Sequence, residues 1–355
     1  MLIVMQRQLL RISLCGMLLF IGGLLAHEHR QPTSDLSCLL QQAPDTQKRL
    51  VMFLDNLPCK AFIIDPGIKG IKTINQLLAT RWNNDASCIT DYARATVGVE
   101  NFFQVYECLE AIRNSSLEIV EVQDNFQTPY PENYRDINVV FRDRENGHLG
   151  EIQINTRALI EYKNKKGHDL FDEIRNIKAQ VFQEGRTLSR EEQEYVNKVT
   201  QESKNGYDNA LRESMKIGEK TLRVGVYGLL VHNNEILMVR TQSGSKIIYN
   251  FPGGGVDSHE GFTCALVREC QEEIGTHVEV KKRIYASQDV YIHPDFPKSL
   301  MFNLYYHLEV ADVEQLHYHT LLSDAKWFPL SNLPIEEMLP NDVEFINYYV
   351  QKLGK

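Results

Sequence analysis

Hydrophobic positions in the last third of the chain fall into short runs separated by polar residues. Residues 222–231 and 236–242 are apolar and rich in β-branched side chains, which is typical of buried strands. Asn233 and Asn234 lie between the two runs and predict a hairpin turn. Residues 278–280, 284–290, 300–310 and 326–329 predict further strands, and residues 341–352 predict a closing helix. The pattern indicates a sheet with helices packed on it.

A segment with helical periodicity interrupts these strands. Its apolar side chains recur every four residues and predict one buried stripe: Phe262, Leu266, Cys270 and Ile274. Gly275 suits the left-handed residue that ends a helix. Ser258 is predicted to cap the start of the helix, which would place Glu260 in the first turn.

The polar face of the same helix is acidic. Glu269, Glu272 and Glu273 are spaced at i, i+3 and i+4, so they share one face about one turn long. Their charges repel each other unless a cation lies among them, and oxygen ligands favour Mg²⁺ or Mn²⁺ over zinc. An acidic run is more often a solvated helix face, so the neighbouring residues decide between the two interpretations.

Those neighbours complete a known motif. From Gly254 to Gly275 the chain reads GGVDSHEGFTCALVRECQEEIG, which has the spacing G-x5-E-x7-R-E-U-x-E-E-x-G-U, where U is hydrophobic. The segment resembles the Nudix box, and the resemblance to the Nudix hydrolases extends over about residues 219–352. Two hydrophobic slots depart from the pattern, because they hold Cys270 and Thr276.

The Nudix resemblance implies an α/β/α sandwich over residues 219–355 and an enzyme that hydrolyses the pyrophosphate bond of a nucleoside diphosphate linked to another group X. The implied catalytic residues are Arg268, Glu269, Glu272 and Glu273. The three glutamates among them are the implied ligands of Mg²⁺ or Mn²⁺. The implied substrate-binding residues of this half are Gly254, Gly255 and Glu260. The identity of X is not readable, since the loops that recognise it lie outside the motif.

Acidic residues also accompany two strand-like runs upstream. Asp91 precedes the run of residues 93–99, and Glu151 lies on a second run, where it shares a face with Gln153. Two carboxylates from adjacent strands can hold Mg²⁺ together with a triphosphate. Taken one at a time, Asp91 and Glu151 are more often carboxylates at a surface or a strand end.

The order of these segments is similar to the RelA/SpoT-type alarmone synthetases. The resemblance rests on DYARATV at 91–97, NYRDIN at 133–138, EIQINT at 151–156 and KGHDLF at 166–171. It implies a nucleotidyltransferase-like mixed β-sheet with helices over residues 27–218. By the resemblance, Asp91 and Glu151 carry the metal and base roles, Tyr134 stacks on a purine, and Lys69 and Gln153 bind substrate.

Two positions depart from the synthetase pattern. Asn138 stands where the family has His, and Asn155 stands where it usually has Arg. Each change removes a group that would bind phosphate. The upstream domain is therefore predicted to bind a nucleotide; the alternatives are active alarmone synthesis and a non-catalytic effector. Lys163, with Lys165 and Lys166, forms a basic cluster that is interpreted as a solvated helix face, with a phosphate-binding role as the alternative.

Composition limits the partners. The chain has 355 residues and a net charge of −9, which argues against broad nucleic-acid binding and leaves a small-molecule nucleotide as the predicted partner. The length of 355 residues predicts two or three domains, and the two resemblances imply an α+β protein of two domains. The oligomeric state is left open.

The N-terminus predicts a targeting segment. Arg7 and Arg11 precede residues 12–26, which carry no charge, so residues 1–26 are interpreted as a signal peptide and the protein as exported, periplasmic or secreted. The alternatives are an anchor in the inner membrane and a cytoplasmic protein. Four cysteines then cluster, and they allow three pairings: Cys38, Cys59, Cys88 and Cys108.

Overall fold

The computed structural model describes residues 29–80, 82–243, 246–257, 259–292, 298–313, 316 and 324–353. The proposed leader, residues 1–26, and Ser258 lie outside these residues. Within them, no helix is both long enough and apolar enough to cross a membrane.

The N-terminal half is built on a mixed sheet of five strands in the order β1-β2-β5-β4-β3. The strands are β1 Phe62–Ile64, β2 Ala93–Val99, β3 Glu118–Asp124, β4 Ile137–Arg142 and β5 Leu149–Thr156. The central pair β2 and β5 is parallel, and the other pairs are antiparallel. The predicted strand at 93–99 is therefore confirmed, and it lies beside the strand that carries Glu151.

Helices surround this sheet. They are α1 Leu36–Leu54, α2 Ile71–Thr80, α3 Phe102–Arg113, α4 Arg157–Tyr162, α5 His168–Gln183 and α6 Arg190–Ser214. A capping box begins α6, in which Ser189 accepts from the backbone N–H of Glu192 and the Glu192 side chain accepts from that of Ser189. A hairpin of β6 Lys216–Ile217 with β7 Lys220–Leu229 then leads into the C-terminal half, with Gly218 at a φ of 61°.

The C-terminal half contains two sheets. Their strands are β7 Lys220–Leu229, β8 Val231–His232, β9 Glu235–Ser243, β10 Lys246–Asn250, β11 Gly253–Gly255, β12 Glu279–Ala286, β13 Tyr291–Ile292, β14 Ser299–Glu309 and β15 Ala325–Pro329. The larger sheet has the order β11-β7-β14-β12, and the smaller one has the order β10-β9-β15. The turn between β8 and β9 places Asn233 and Asn234 at φ values of 48° and 67°, as the sequence predicts.

Two helices cover opposite faces of the larger sheet: α7 Phe262–Ile274 and α8 Pro340–Leu353. Val226 of β7 packs in the same core as α7, whereas Tyr227 packs in a second core with Phe345 of α8. Side chains alternate across a strand, so neighbouring residues serve the two cores. The α+β fold class predicted for both halves is confirmed.

The start of α7 differs from the prediction. The helix begins at Phe262 after Gly261, which has no side chain to cap it, so Glu260 lies before the helix and not in its first turn. Glu260 instead accepts a hydrogen bond from the N–H of Asp257 at 3.0 Å and forms an ion pair with Arg268. These bonds fix the loop in front of the helix. The predicted end is confirmed, since Gly275 has a φ of 68°.

The two halves share one hydrophobic core. Phe102 of α3 packs against Phe262 and Phe302 of the C-terminal half, with ring centroids 5.8 and 6.1 Å apart. Polar contacts follow the same boundary, because Arg283 forms an ion pair with Asp124 at 3.4 Å and both side chains are almost fully buried. Aromatic burial on this scale dominates core energetics, so the halves are expected to act as one unit.

One disulfide forms among the four clustered cysteines, so none of the three two-bond pairings is completed in the described residues. Cys59 is disulfide-bonded to Cys108 of α3, whereas Cys38 and Cys88 are free thiols. The bond ties the segment after α1 to the helix that carries Phe102. On the Nudix-box helix, Cys264 and Cys270 are free.

Candidate functional sites

The glycine loop is held against the acidic helix. Strand β11, Gly253–Gly255, pairs with β7 and passes directly over the side chain of Glu269. A Cβ added to Gly254 would lie 2.6 Å from the Glu269 carboxylate, which is closer than real contacts allow. A side chain at position 254 would therefore displace the carboxylate, so Glu269 can lie here only because residue 254 is glycine.

Arg268 connects the glycine loop to the acidic helix. Its guanidinium forms ion pairs with Glu260 at 2.7 Å and with Glu269 at 2.6 Å, and it donates to the carbonyl of Gly255 at 3.2 Å. Burial opposes ionisation of Glu260, but the bond from Arg268 and the N–H of Asp257 outweigh it and lower the pKa of Glu260. In this arrangement Arg268 locks the loop to the helix.

The other two glutamates of the motif differ in environment. Glu273 is partly buried and accepts the N–H of Gly253 at 2.9 Å. Burial, followed by the charges of Glu269 and Glu272, raises the pKa of Glu273 to about 7. Glu272 is 62% exposed and lies 3.7 Å from Arg268. The expected acidic face is present, but only Glu269 and Glu273 turn towards the glycine loop.

These residues fit a divalent cation in kind. The donors are carboxylate oxygens, and Gly254 leaves space beside one of them. Burial, followed by the charges of Glu269 and Glu272, raises the pKa of Glu273, and a nearby cation would favour its ionised form. In the described part of the chain, however, no three His, Cys, Asp or Glu side chains converge as a metal-binding group. The reason is that the carboxylate of Glu269 is ion-paired with Arg268, whereas Glu272 points to solvent. Metal binding would therefore require the side chains of Arg268 and Glu272 to rotate.

The upstream carboxylates lie at one end of the N-terminal sheet. Asp91 precedes β2 and is paired with Lys69 and, at 3.7 Å, with Arg94. Arg94 is the register partner of Glu151 on the adjacent parallel strand. Burial, with Asp91 as the next cause, raises the pKa of Glu151 to about 7. The sequence correctly predicts that Asp91 and Glu151 lie close together.

Gln153 and Tyr134 belong to the same cluster. Gln153 donates to Glu151 at 3.1 Å, which confirms that the two share a face of β5. The hydroxyl of Tyr134 donates to Asp136 at 2.7 Å, and the ring of Tyr134 packs edge-on against Tyr207. Tyr134 is thus held by protein groups on its edge and at its hydroxyl.

The interpretation of Lys163 as a solvated residue is wrong. Lys163 begins a π-helical turn, Lys163–Gly167, that directs its side chain inwards to Gln153 at 3.1 Å and to the Tyr134 hydroxyl at 3.3 Å. Its ammonium also lies 5.2 Å from the centre of the Tyr134 ring. Lys165 and Lys166 are exposed, as predicted. A local bulge in a helix turn leaves no signal in hydrophobic periodicity.

The two departures from the synthetase pattern have structural partners. Asn155 is 1% exposed, and its amide donates to the backbone carbonyl of Arg135 at 2.8 Å. Asn138 hydrogen-bonds Glu151 and lowers its pKa against the larger effect of burial. Arg135 itself is almost fully buried at 1% exposure and was not singled out by the sequence.

Comparisons with known proteins agree with the C-terminal geometry. Residues 220–349 match the family model of the NUDIX domain. The NAD-capped RNA hydrolase NudC of Stutzerimonas stutzeri (strain A1501) is 32% identical over 106 residues, which are 30% of this chain and 36% of that protein. The chain thus spans about a third of the length of this relative.

Two further similarities cover different extents. The ADP-ribose pyrophosphatase of Methanocaldococcus jannaschii is 32% identical over 113 residues, which are 31% of this chain and 64% of that protein. The solved small alarmone synthetase 2 from Bacillus subtilis is similar over 48% of this chain and 85% of that chain, with a TM-score of 0.32 and 19% identity. The match of the family model falls on the strands, glycine loop and acidic helix described above. Residues 220–349 of the chain are therefore a NUDIX domain.

Proposed function

We propose that the chain is a metal-dependent pyrophosphohydrolase that cleaves a nucleoside diphosphate linked to a group X. The observation that carries the proposal is the contact of Glu269 and Glu273 with the glycine strand β11. Glu272 lies about one helical turn after Glu269 and 3.7 Å from Arg268. The domain family and the two hydrolase relatives support the same reaction. Mg²⁺ or Mn²⁺ is the proposed cofactor, and the three glutamates are its proposed ligands.

The chemistry requires charge neutralisation and positioning more than covalent participation by the protein. When bound, the metal ion would neutralise pyrophosphate oxygens and acidify a water molecule. Water attacks one phosphorus, the bond to the bridging oxygen breaks, and the proton passes to a carboxylate, for which Glu269 is the candidate. Arg268 ties the glycine loop to the helix through Glu260 and the carbonyl of Gly255, so it positions the strand that lies against Glu269.

A substrate screen tests this proposal. The full chain would be incubated with Mg²⁺ or Mn²⁺ and nucleoside diphosphate-X compounds, beginning with ADP-ribose and NAD-capped RNA, which the names of the relatives suggest. We expect cleavage at the pyrophosphate that EDTA abolishes. Glu336→Gln, an exposed glutamate outside the motif, is the matched control for Glu272→Gln. Equal activity of the two variants would contradict the assignment of Glu272.

For the upstream domain, the closeness of Asp91 and Glu151 supports binding of a nucleotide with Mg²⁺. The protein would be assayed by calorimetry as the full chain carrying Glu272→Gln, so that bound nucleotide is not consumed. We expect dissociation constants between micromolar and millimolar, on the order of −4 to −8 kcal/mol. Asp91→Asn should weaken binding, whereas Asp55→Asn, at the exposed C-cap of α1, should not.

Tyr134 separates stacking from hydrogen bonding. Tyr134→Ala should weaken purine binding by about 1–3 kcal/mol if the ring stacks on a base. Tyr134→Phe keeps the ring and removes the hydroxyl's bonds to Asp136 and from Lys163. Absence of heat with every purine nucleotide would leave the domain a scaffold. Transfer of pyrophosphate from ATP to GDP or GTP, which gives AMP and a guanosine tetra- or pentaphosphate, would establish the alternative, an alarmone synthetase.

Export is the proposed localisation, because residues 12–26 form an uncharged run after Arg7 and Arg11. The mature protein should then begin near His27. Mass measurement on protein from its native host tests this, and an intact Met1 on cytosolic material would contradict it.

A further inference from the structure

A cavity of about 340 Å³ lies where the N-terminal half meets the glycine loop of the NUDIX domain. Its walls come from both halves. Arg135, Leu211 and Arg212 line it from the N-terminal side, and Arg223, Gly255 and Glu269 line it from the NUDIX side. The cavity therefore opens directly beside a proposed catalytic carboxylate, although four of its thirteen lining residues lie outside the family domain.

The lining is cationic. Four arginines and two carboxylates line the cavity, which gives a formal charge of 4 − 2 = +2 at neutral pH. Among these arginines, Arg268 holds the glycine loop through its ion pairs with Glu260 and Glu269. Arg223 lies along the glycine strand, with its guanidinium 3.8 Å from the Cβ position of Gly255. Positive charge thus continues from the loop towards the domain boundary.

Arg135 is the unusual member of this lining. Burying a guanidinium costs several kcal/mol, and the side chain of Arg135 is 1% exposed. Burial lowers the pKa of Arg135 to about 10, although the nearby charges of Asp208 and Glu260 oppose the change. Its guanidinium donates to Asn133 at 3.0 Å. A cation kept at this cost beside a cavity is suited to an anionic ligand.

The backbone of Arg135 is also fixed. Asn155 donates to the carbonyl of Arg135, and the neighbouring Asp136 accepts bonds from Tyr134 and from Asn125 at 2.7 Å each. Tyr134 belongs to the upstream carboxylate cluster, whereas Arg135 lines the cavity on the other side. One short segment before β4 therefore contributes to both candidate sites.

We propose that this cavity holds a phosphate or pyrophosphate group of the nucleotide that the NUDIX domain cleaves, gripped by Arg135, Arg212 and Arg223. The substrate part of the inference rests on the proposed hydrolase function. The planar guanidinium fork matches phosphate oxygens in pairs, which an ammonium does not. The volume lies at the lower end of ligand pockets, so it suits a phosphate with an attached sugar and not a whole dinucleotide. The N-terminal half thus supplies part of the hydrolase's substrate site.

The test measures binding without turnover. Inorganic pyrophosphate would be titrated into the full chain in EDTA by calorimetry, which removes any contribution of metal. Arg212→Gln combined with Arg223→Gln should weaken the affinity at least tenfold. Arg190→Gln, on the same helix as Arg212 and 92% exposed, should leave it unchanged. Arg135→Lys keeps the charge but loses the fork, and a clear loss of affinity with an unchanged melting temperature is expected.

A kinetic arm separates this inference from the proposed function. With a cleaved substrate, the double arginine variant should raise KM several-fold with little change in kcat, whereas Glu272→Gln should lose turnover and still bind pyrophosphate. Pyrophosphate binding that depends on the arginines, in a chain without hydrolase activity, would contradict the proposed function and support the anion site. Hydrolysis with KM and pyrophosphate affinity unchanged in the double variant, or no binding by the parent chain, would overturn the inference.

Discussion

The shared core makes a sharp prediction about unfolding. Phe302 of β14 is fully buried, and its ring lies 5.4 to 6.1 Å from those of Phe102, Phe103 and Tyr106, all of the N-terminal half. Truncating a buried phenylalanine to alanine costs about 3–5 kcal/mol. Because these contacts cross the boundary, Phe302→Ala should destabilise both halves by the same amount.

The two tryptophans allow each half to be followed separately. Trp82 packs against a smaller core of the N-terminal half, and Trp327 of β15 packs against the shared core from the NUDIX side. In chains carrying either Trp82→Phe or Trp327→Phe, urea unfolding would be monitored by the remaining indole. We expect the two transitions to coincide in the parent chain and to shift together by about 3–5 kcal/mol with Phe302→Ala.

The control is Ile247→Ala, a substitution of an exposed side chain in the same half, which should change the stability by less than about 0.5 kcal/mol. A shift of the Trp327 transition alone would refute the reasoning. The halves would then be separate folding units, and a substrate site shared between them would lose its structural basis.

Three further predictions concern single features. Burial raises the pKa of Asp342 to about 7, so ionisation of this carboxyl destabilises the fold increasingly from about pH 4 to pH 7. Asp342→Asn should therefore stabilise the chain by up to about 4 kcal/mol at pH 8 and hardly at pH 4, as measured by thermal unfolding at each pH. Replacing Cys59 and Cys108 by serine removes a link across 49 residues and should cost about 2–4 kcal/mol, and equal stability of the reduced parent and the variant would verify the cause. Gly254→Ala should abolish turnover while leaving the melting temperature nearly unchanged, because its Cβ would displace the Glu269 carboxylate, and normal kcat would contradict this.

Local patterns account for much of the C-terminal half. The four-residue period correctly predicts the buried stripe of α7, and the i, i+3, i+4 spacing correctly predicts its acidic face, although Glu272 of that face points to solvent. These features could be predicted because they depend on residues within one turn of each other. The start of α7 could not, since Glu260 is held by Arg268 from the second turn and not by the helix terminus.

Long-range placement explains the remaining differences. Nothing near Arg135 in the sequence shows that it lies beside the loop around Gly255, 120 residues further on, as the cavity lining reveals. Asn155 was recognised only as a lost charge, whereas its amide fixes the backbone of Arg135. The inward turn of Lys163 likewise depends on a π-helical bulge that periodicity does not encode.

The most direct test of the central claim follows the oxygen atom of water. The full chain would be incubated with Mg²⁺ in ¹⁸O-labelled water and a nucleoside diphosphate-X compound that it cleaves. The masses of the products would then be measured by mass spectrometry. The account predicts one ¹⁸O in a phosphate group of one product, equal amounts of two phosphate-containing products, and a rate at least tenfold lower for Glu272→Gln, which corresponds to about 1.4 kcal/mol. Products without ¹⁸O in phosphate, or full activity of Glu272→Gln, would contradict it.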